Sequence, residues 1–242
     1  MSSRPTNPAL RIFDACSATE VVAADFHMHT TWTDGSASVA DMHRAALAAG
    51  LGTVLFSEHA RASSGDWFGK FAAEVRALPA EQCKALVGAE VKVLNARGEL
   101  DISDAVRREC ALVMASVHRF PGETDIRKGR DAGYSEEQAI SIEFELARAA
   151  LRAGGFDILG HPFGMAYRRF GYAPSQALIR ELVRECVRAG IAFEINARYH
   201  AEPARFIGIC LEEGSPISLG SNAHAPNEVG QLQRILRQGR TP

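Results

Sequence analysis

Six of the chain's eight histidines fall at or just beyond the C-terminal end of a short apolar run. They are His27 and His29 in ADFHMHT, His59 in LFSEH, His118 in MASVH, His161 in ILGHP and His224 in LGSNAH. The two remaining runs carry acids at the same place, Glu90 in VGAEV and Glu194 in AFEIN, while Asp25 and Asp34 flank the first histidine pair. Strand side chains alternate with period two, so both imidazoles of His27-Met28-His29 point to one side. Two imidazoles on one side, joined by carboxylates from other strands, suit Zn²⁺, Mn²⁺ or Fe²⁺. Six histidines exceed what one four-coordinate ion takes, so the pattern implies two to three divalent ions. Any one of these histidines could equally be a hydrogen-bonded core or surface group. The set could not, because burying so many polar groups without a metal would leave donors and acceptors unpaired.

Arginines form a second layer. Arg61, Arg119 and Arg198 each follow a strand end, within a few residues of His59, His118 and Glu194. Guanidinium groups beside a metal cluster suit an anionic, oxygen-rich substrate such as a phosphate ester, although each alone reads as well as a solvated loop arginine. Lys92 shares strand parity with Glu90 and offers another inward cation. His43, inside a helix, and His200, in a loop, fit surface or structural roles. No G-x-G-x-x-G or P-loop sequence occurs, which removes nucleotide-cofactor and P-loop chemistry. Ser116 has no nucleophile elbow around it. Five scattered cysteines without a CxxC pair argue against a disulfide framework or thiolate zinc site.

The elements that must position these residues are legible in outline. Seven apolar runs, 23–27, 53–57, 86–93, 112–117, 157–160, 191–195 and 217–220, predict buried strands. Helical spacing follows at Val39–Ala49, stopped by Gly50, and at Ser135–Ala153, with Ser135 as N-cap and Gly154–Gly155 as the stop. A third helix is expected over Pro174–Ala189, with Leu178, Leu182 and Val183 on one stripe. Strand–helix alternation along the chain argues for a parallel α/β fold. In a parallel barrel all strand C-termini open on one face, where sites are built. One domain is expected over residues 21–242, with 1–20 as an N-terminal peripheral segment and 119–134 as a long loop.

Composition bounds the rest. The chain has 242 residues, 46% hydrophobic and 23% charged, an ordinary globular mix. A net charge of −2 gives no general pull toward nucleic acid or an anionic membrane, and so favours a small phosphorylated substrate over a polynucleotide. MSSRPTNPAL lacks the apolar stretch of a signal peptide, and the longest apolar run, Ala45 to Phe56, is too short to span a bilayer. The expectation is a cytoplasmic protein.

Taken in order, DFHMHT with TDGS, SEH, GAEVKVLNARGELDI, ASVH, ILGHP, FEIN and LGSNAH resemble the PHP (polymerase and histidinol phosphatase) family. The resemblance runs from Asp25 to about Gly230, and its Gly88–His118 stretch is closer to the polymerase-associated and stand-alone phosphoesterase branch. It implies a distorted (β/α)7, TIM-like barrel with a metal site at the strand C-termini. One ion would be held by His27, His29, Glu90 and residue 222, a second by Glu90, His118 and His161, and a third by Asp34, His59 and His224. Two departures matter. Asn222 stands where the family usually has a ligating Asp, which removes a charge from the first ion. Glu58 precedes His59 where Asp is common, and is expected to support the site from behind.

The function this implies is metal-dependent hydrolysis of phosphate esters, as a small-molecule phosphomonoesterase. Paired ions would supply hydroxide near neutral pH, and Arg61, Arg119 and Arg198 would orient the phosphate. No residue is assignable as the acid for the leaving group. Three other readings stand beside it: a nuclease or phosphodiesterase of the same family, an amidohydrolase-like C–N hydrolase, and a non-catalytic metal-binding barrel.

Overall fold

A computed structural model of the chain describes residues 23–121 and 133–238. The expected peripheral segment 1–20 and most of the loop expected over 119–134 lie outside the described residues. Seven strands follow one another along the chain: β1 Ala24–Met28, β2 Thr53–His59, β3 Lys84–Lys92, β4 Leu112–Ser116, β5 Ile158–Gly160, β6 Ala192–Asn196 and β7 Ile217–Gly220. All neighbours pair in parallel and in sequence order. Just past the strand ends Met28 bridges Ala223, with the His29 N–H donating to Ala223 O at 2.8 Å. The sheet therefore curls into a nearly closed, distorted (β/α)7 barrel: the parallel arrangement is the one strand–helix alternation predicts, and the barrel is the one the resemblance implies. The buried Asp25 carboxylate holds this seam by accepting from Ser221 N–H (2.9 Å), Ser221 Oγ–H (2.5 Å) and Gly230 N–H (3.0 Å).

Among the described residues eight α-helices pack outside: α1 Val39–Ala48, α2 Gly65–Arg76, α3 Asp104–Glu109, α4 Glu136–Ala153, α5 Gly164–Phe170, α6 Gln176–Ala189, α7 Pro203–Glu213 and α8 Gln231–Gln238. Serines start three of the longer ones. Ser38 caps α1, and Ser135 forms a reciprocal capping box with Gln138 on α4. The third expected helix begins at Gln176, later than Pro174, because Ser175 takes the cap position and accepts the Leu178 N–H at 3.2 Å. Its buried stripe is Ile179, Leu182, Val183 and Cys186, with Leu178 only half-buried. No described helix is long and apolar enough to cross a membrane.

The barrel interior has an apolar floor and a polar mouth. Ala24, Phe26, Leu55, Leu112, Met114, Ile158 and Ala192 cluster as the floor. Leu86 on β3 packs against the same floor, and on β2 to β4 the residues four to six positions further along the same parity are His59, Glu90 and His118, so simple alternation lifts each strand from core into site. β1 needs a correction to that alternation. Ala24 is aligned with Thr53 but Met28 with Phe56, so one extra residue is accommodated between Asp25 and Met28. This bulge lets Phe26 lie in the floor while His27 and His29, one and three residues on, turn into the mouth.

A buried acid secures the segment that follows β5. Helix α5 is entered through Phe163 in the left-handed region (φ 65°), with no side-chain cap of its own. Glu143 on α4 supplies the acceptors instead, taking the N–H groups of Met165 (3.1 Å) and Ala166 (2.8 Å). Burial pushes the Glu143 carboxyl up to about 7, against the pull of those N–H groups. An acid whose pKa rises on folding holds its proton better in the folded chain, so its contribution to stability falls as pH climbs from the ordinary carboxylate range to about 7. Glu143→Gln removes that titration. Urea unfolding of metal-stripped protein at about pH 5 and about pH 8 should show wild type losing stability relative to the variant as pH rises. An unchanging difference would mean that Glu143 carries the same charge in both states.

Candidate metal centre

Glu90 sits at the middle of the mouth, buried, with one oxygen facing each half of it. Its Oε1 lies 3.0 Å from His118 Nε2 and 2.9 Å from His161 Nε2. Its Oε2 lies 3.3 Å from His27 Nε2, 3.5 Å from His29 Nε2 and 3.1 Å from His59 Nδ1. Strand register explains the assembly: His59 is aligned with Glu90 across β2 and β3, while His118 and His161 follow the aligned ends of β4 and β5. Asp34, on the exposed loop after β1, gathers a further group. Its Oδ2 is 3.5 Å from His59 Nε2 and 3.4 Å from His224 Nε2, and its Oδ1 is 4.0 Å from His29 Nδ1. His29 and His59 therefore face both groups, one ring nitrogen to each.

Electrostatics pulls neighbouring rings apart. Burial, then repulsion from His59 and His27, drives His29 well below the usual imidazole range, and burial brings His118 down to about 4. Burial also opposes charge on His27, but Glu194 and Glu90 outweigh it and hold that ring well above its usual range. Around Glu90 the rings of His118, His27 and His59 overcome its own burial and keep the carboxyl well below the usual carboxylate range.

Supports hold this group from behind. The His27 Nδ1–H donates to Glu194 Oε1 (2.7 Å), leaving Nε2 turned to the site. Glu194 also accepts the His161 N–H and the Asn196 amide (2.8 Å). A side chain at Gly220 would meet Glu194 Oε1 and His27 Cβ, so glycine is required at that close approach. Glu58 accepts the Thr30 N–H at 2.7 Å and the Thr33 hydroxyl, bracing the loop that carries Asp34. His200 is structural: its Nδ1 accepts the Asn196 N–H (3.1 Å) and its Nε2–H donates to Pro162 O (2.9 Å), anchoring the turn at His161. His43 is buried against Cys83 O.

This donor set fits divalent metal ions. His27 Nε2 and His29 Nε2 are 3.1 Å apart, and two metal–nitrogen bonds of about 2.1 Å from one ion would hold their nitrogens at about that distance. Among the described residues, His29 Nδ1, Glu90 Oε2, His118 Nδ1, His161 Nδ1 and Asn222 Oδ1 are buried without a hydrogen-bond partner. Such a concentration of orphaned polar atoms in one place calls for a cation or a ligand. Three groups of acids and histidines are close enough to hold an ion: His29, Asp34, His59 and His224; His27, His29 and Glu90; His59, Glu90 and His118. They share His29 and His59 as well as Glu90, so the sets implied by the resemblance, which share only Glu90, run together into one continuous cluster. His161 reaches it through Glu90, and Asn222, in the left-handed region at φ 52°, lines the same cavity.

That cavity, about 810 Å³, brings Arg61, Arg119 and Arg198 to its wall together with Lys92. Arg198 Nη1 lies 2.9 Å from His224 Nδ1 and 3.3 Å from Asn222 O. Several lining residues, Trp32 and Trp67 among them, were not singled out from the sequence. Arg168 enters on α5, a helix too short to announce itself by periodicity, and Tyr199 stacks on the His161 ring at 4.3 Å. Met165, also on α5, is another.

A family model described as the PHP domain matches residues 25–198. The DNA polymerase/3'-5' exonuclease PolX of Bacillus subtilis (strain 168) is 28% identical over 218 residues, 84% of this chain. The chain spans only 34% of that polymerase's length. A probable phosphatase of Thermoanaerobacter sp. (strain X514) is 24% identical over 224 residues, covering 88% of this chain and 83% of that one. A candidate histidinol phosphatase from Listeria monocytogenes has the same fold, with a TM-score of 0.70 at 14% identity over 86% of this chain and 97% of that one. Fold, strand-end ligand pattern and the match across the barrel agree: the chain belongs to the PHP domain family.

Proposed function

We propose that the chain is a metal-dependent phosphoesterase whose substrates are small phosphate monoesters. The observation that carries this reading is one cavity in which a carboxylate surrounded by five imidazoles borders a wall of arginines. In this reading His27, His29, Glu90 and Asn222 hold one ion, Glu90, His118 and His161 a second, and Asp34, His59 and His224 a third. Bound there, Zn²⁺, Mn²⁺ or Fe²⁺ supply an acidified water as nucleophile and offset charge on the phosphoryl oxygens. The chain's own residues do the positioning. Glu90 separates the two inner groups of imidazoles, Glu194 fixes the tautomer of His27, and Glu58 holds the Asp34 loop in place. Arg61, Arg119 and Arg198 orient the phosphate, with Lys92 and Arg168 adding positive charge to the same wall. A nuclease reading is favoured by one observation, the similarity to the exonuclease-bearing polymerase. A single-stranded oligonucleotide in the substrate screen separates the two.

The decisive measurement is metal content of the purified protein, paired with a screen of phosphate esters. Protein prepared without chelator should carry more than one transition-metal ion per chain and release phosphate from at least one small monoester. His118→Ala should lower the metal content. Protein that neither holds nor rebinds Zn²⁺ or Mn²⁺ would overturn the reading.

Arg198→Ala should lower kcat/KM for a phosphate monoester by about tenfold or more, equivalent to roughly 1.4 kcal/mol, the loss of one charge-assisted contact. Steady-state kinetics at fixed metal loading checks this. Unchanged kcat/KM would remove Arg198 from the phosphate site.

Asn222→Asp tests the family's missing carboxylate. An amide oxygen binds a cation as a dipole, whereas Asp brings a full charge and tolerates the same left-handed backbone. Titrating Mn²⁺ into chelator-stripped protein should show tighter binding by the variant. Identical affinity and rate would show that residue 222 is not a ligand.

A further inference from the structure

The chain contains two tryptophans, and both line the central cavity. Trp32 lies on the loop between His29 and Asp34, and Trp67 is in the first turn of α2. Their rings stack with centroids 5.9 Å apart and planes 18° from parallel. Fixed groups back them. Phe71, fully buried, meets both rings at an angle, and the Trp32 Nε1–H donates to Glu74 Oε2 at 2.7 Å. Both rings are only half-buried, unlike Phe68 and Phe71 behind them. A centroid separation of 5.9 Å leaves no room for a third ring between the indoles, so a guest would stack on the ring surface turned to the cavity.

Metal ligands and cations need none of this aromatic surface. A cavity of about 810 Å³ is also far larger than a phosphate group requires, and falls in the range that holds drug-sized ligands. Trp32 is two residues from Asp34 in the chain, and Trp67 lines the same cavity as His59, Arg61 and Ser64. A phosphate held at the metal cluster would therefore direct its organic portion toward the two indoles.

We propose that Trp32 and Trp67 form a stacking platform for a planar aromatic ring in the alcohol portion of the substrate. This rests on the phosphoesterase reading and narrows it to monoesters of aromatic alcohols. Hydrolysis breaks the ester P–O bond, a water oxygen bonds to phosphorus, and the alcohol departs carrying a proton. The platform acts only on where that alcohol sits.

Benzyl phosphate and cyclohexylmethyl phosphate test this, because both release a primary alcohol of the same carbon skeleton and only one is flat. The wild-type protein should favour the benzyl ester by about threefold to tenfold in kcat/KM. Trp67→Leu and Trp32→Leu should bring that ratio toward one, and Trp67→Phe should keep part of it. A second arm needs neither turnover nor variants. All tryptophan emission comes from the cavity wall, so fluorescence titration of wild type with the non-hydrolysable benzylphosphonate and cyclohexylmethylphosphonate reads binding directly. The benzyl compound should bind about threefold or more tighter and quench the emission. If neither ester is hydrolysed, tighter benzylphosphonate binding still supports the platform, and the metal analysis with the wider ester screen decides the phosphoesterase reading. Equal affinities for the two phosphonates, or a benzyl preference that survives both leucine substitutions, would overturn it.

Discussion

Glu90 is one buried carboxylate with five imidazoles around it, and this imbalance sets the terms for the whole barrel mouth. A carboxylate carries a single negative charge and cannot compensate several imidazolium ions. Neutral rings, for their part, each offer one donor and one acceptor, and too few complementary groups are near enough to use them. The result is the uneven titration and orphaned nitrogens found here, with His29 and His118 driven toward the neutral form while His27 and His59 are held toward the charged one. Divalent cations would resolve the imbalance, since they accept lone pairs from neutral rings and offset the carboxylate together. The apolar floor of Phe26, Leu55, Met114 and Ile158 closes the interior beneath this cluster and keeps it on one side of the barrel.

Holding such a cluster costs the backbone something. The three non-glycine residues with positive φ among the described residues are His161, Phe163 and Asn222, all at the strand ends that form the site. Strained conformations persist only where their surroundings over-determine them. Here the surroundings are named groups: His200 bonds Pro162 O, Glu194 takes the His161 N–H, and Glu143 receives the first turn of α5. Asp25 does the equivalent work at the seam by pinning Ser221, immediately before Asn222. The polar network behind the site therefore has a definite task, which is to set the direction of backbone that would otherwise relax.

Much of this was legible in the sequence because two periodicities carry it. Strand ends were marked by apolar runs, and a ligand-type residue at each end followed from reading those runs in parallel. The HxH parity held, since His27 and His29 do face the same side. Other features depend on contacts between distant segments. The bulge in β1 has no local signature, because it exists only relative to β2. Glu143 reads as one more exposed-face acid on a helix until the α5 turn is placed against it. Glu194 was seen as a strand-end acid, but its hold on His27 spans 167 positions. Trp32 and Trp67 are 35 residues apart in the chain and meet only because α2 folds back over the Asp34 loop.

Charge shows the same difference between chain and site. The whole molecule carries a net −2, which argues against a polyanion-binding surface. Its central cavity is the reverse: Asp34 and Glu90 are the carboxylates that line it, against Arg61, Lys92, Arg119, Arg168 and Arg198. Crowding is felt within that wall, since burial and then the nearby Arg61 and Arg119 depress the Lys92 amine. Adding divalent ions to the cluster makes the cavity more positive still, so an anion is the only kind of guest that relieves it. A neutral amide at Asn222 in place of a carboxylate pushes in the same direction. Low-dielectric walls around such a field concentrate it at the mouth, which favours the entry of an anion. The field selects for anionic charge and says nothing about the rest of the ligand. In the proposed reading, discrimination among phosphate esters therefore falls to the uncharged part of the cavity wall, where the two indoles lie.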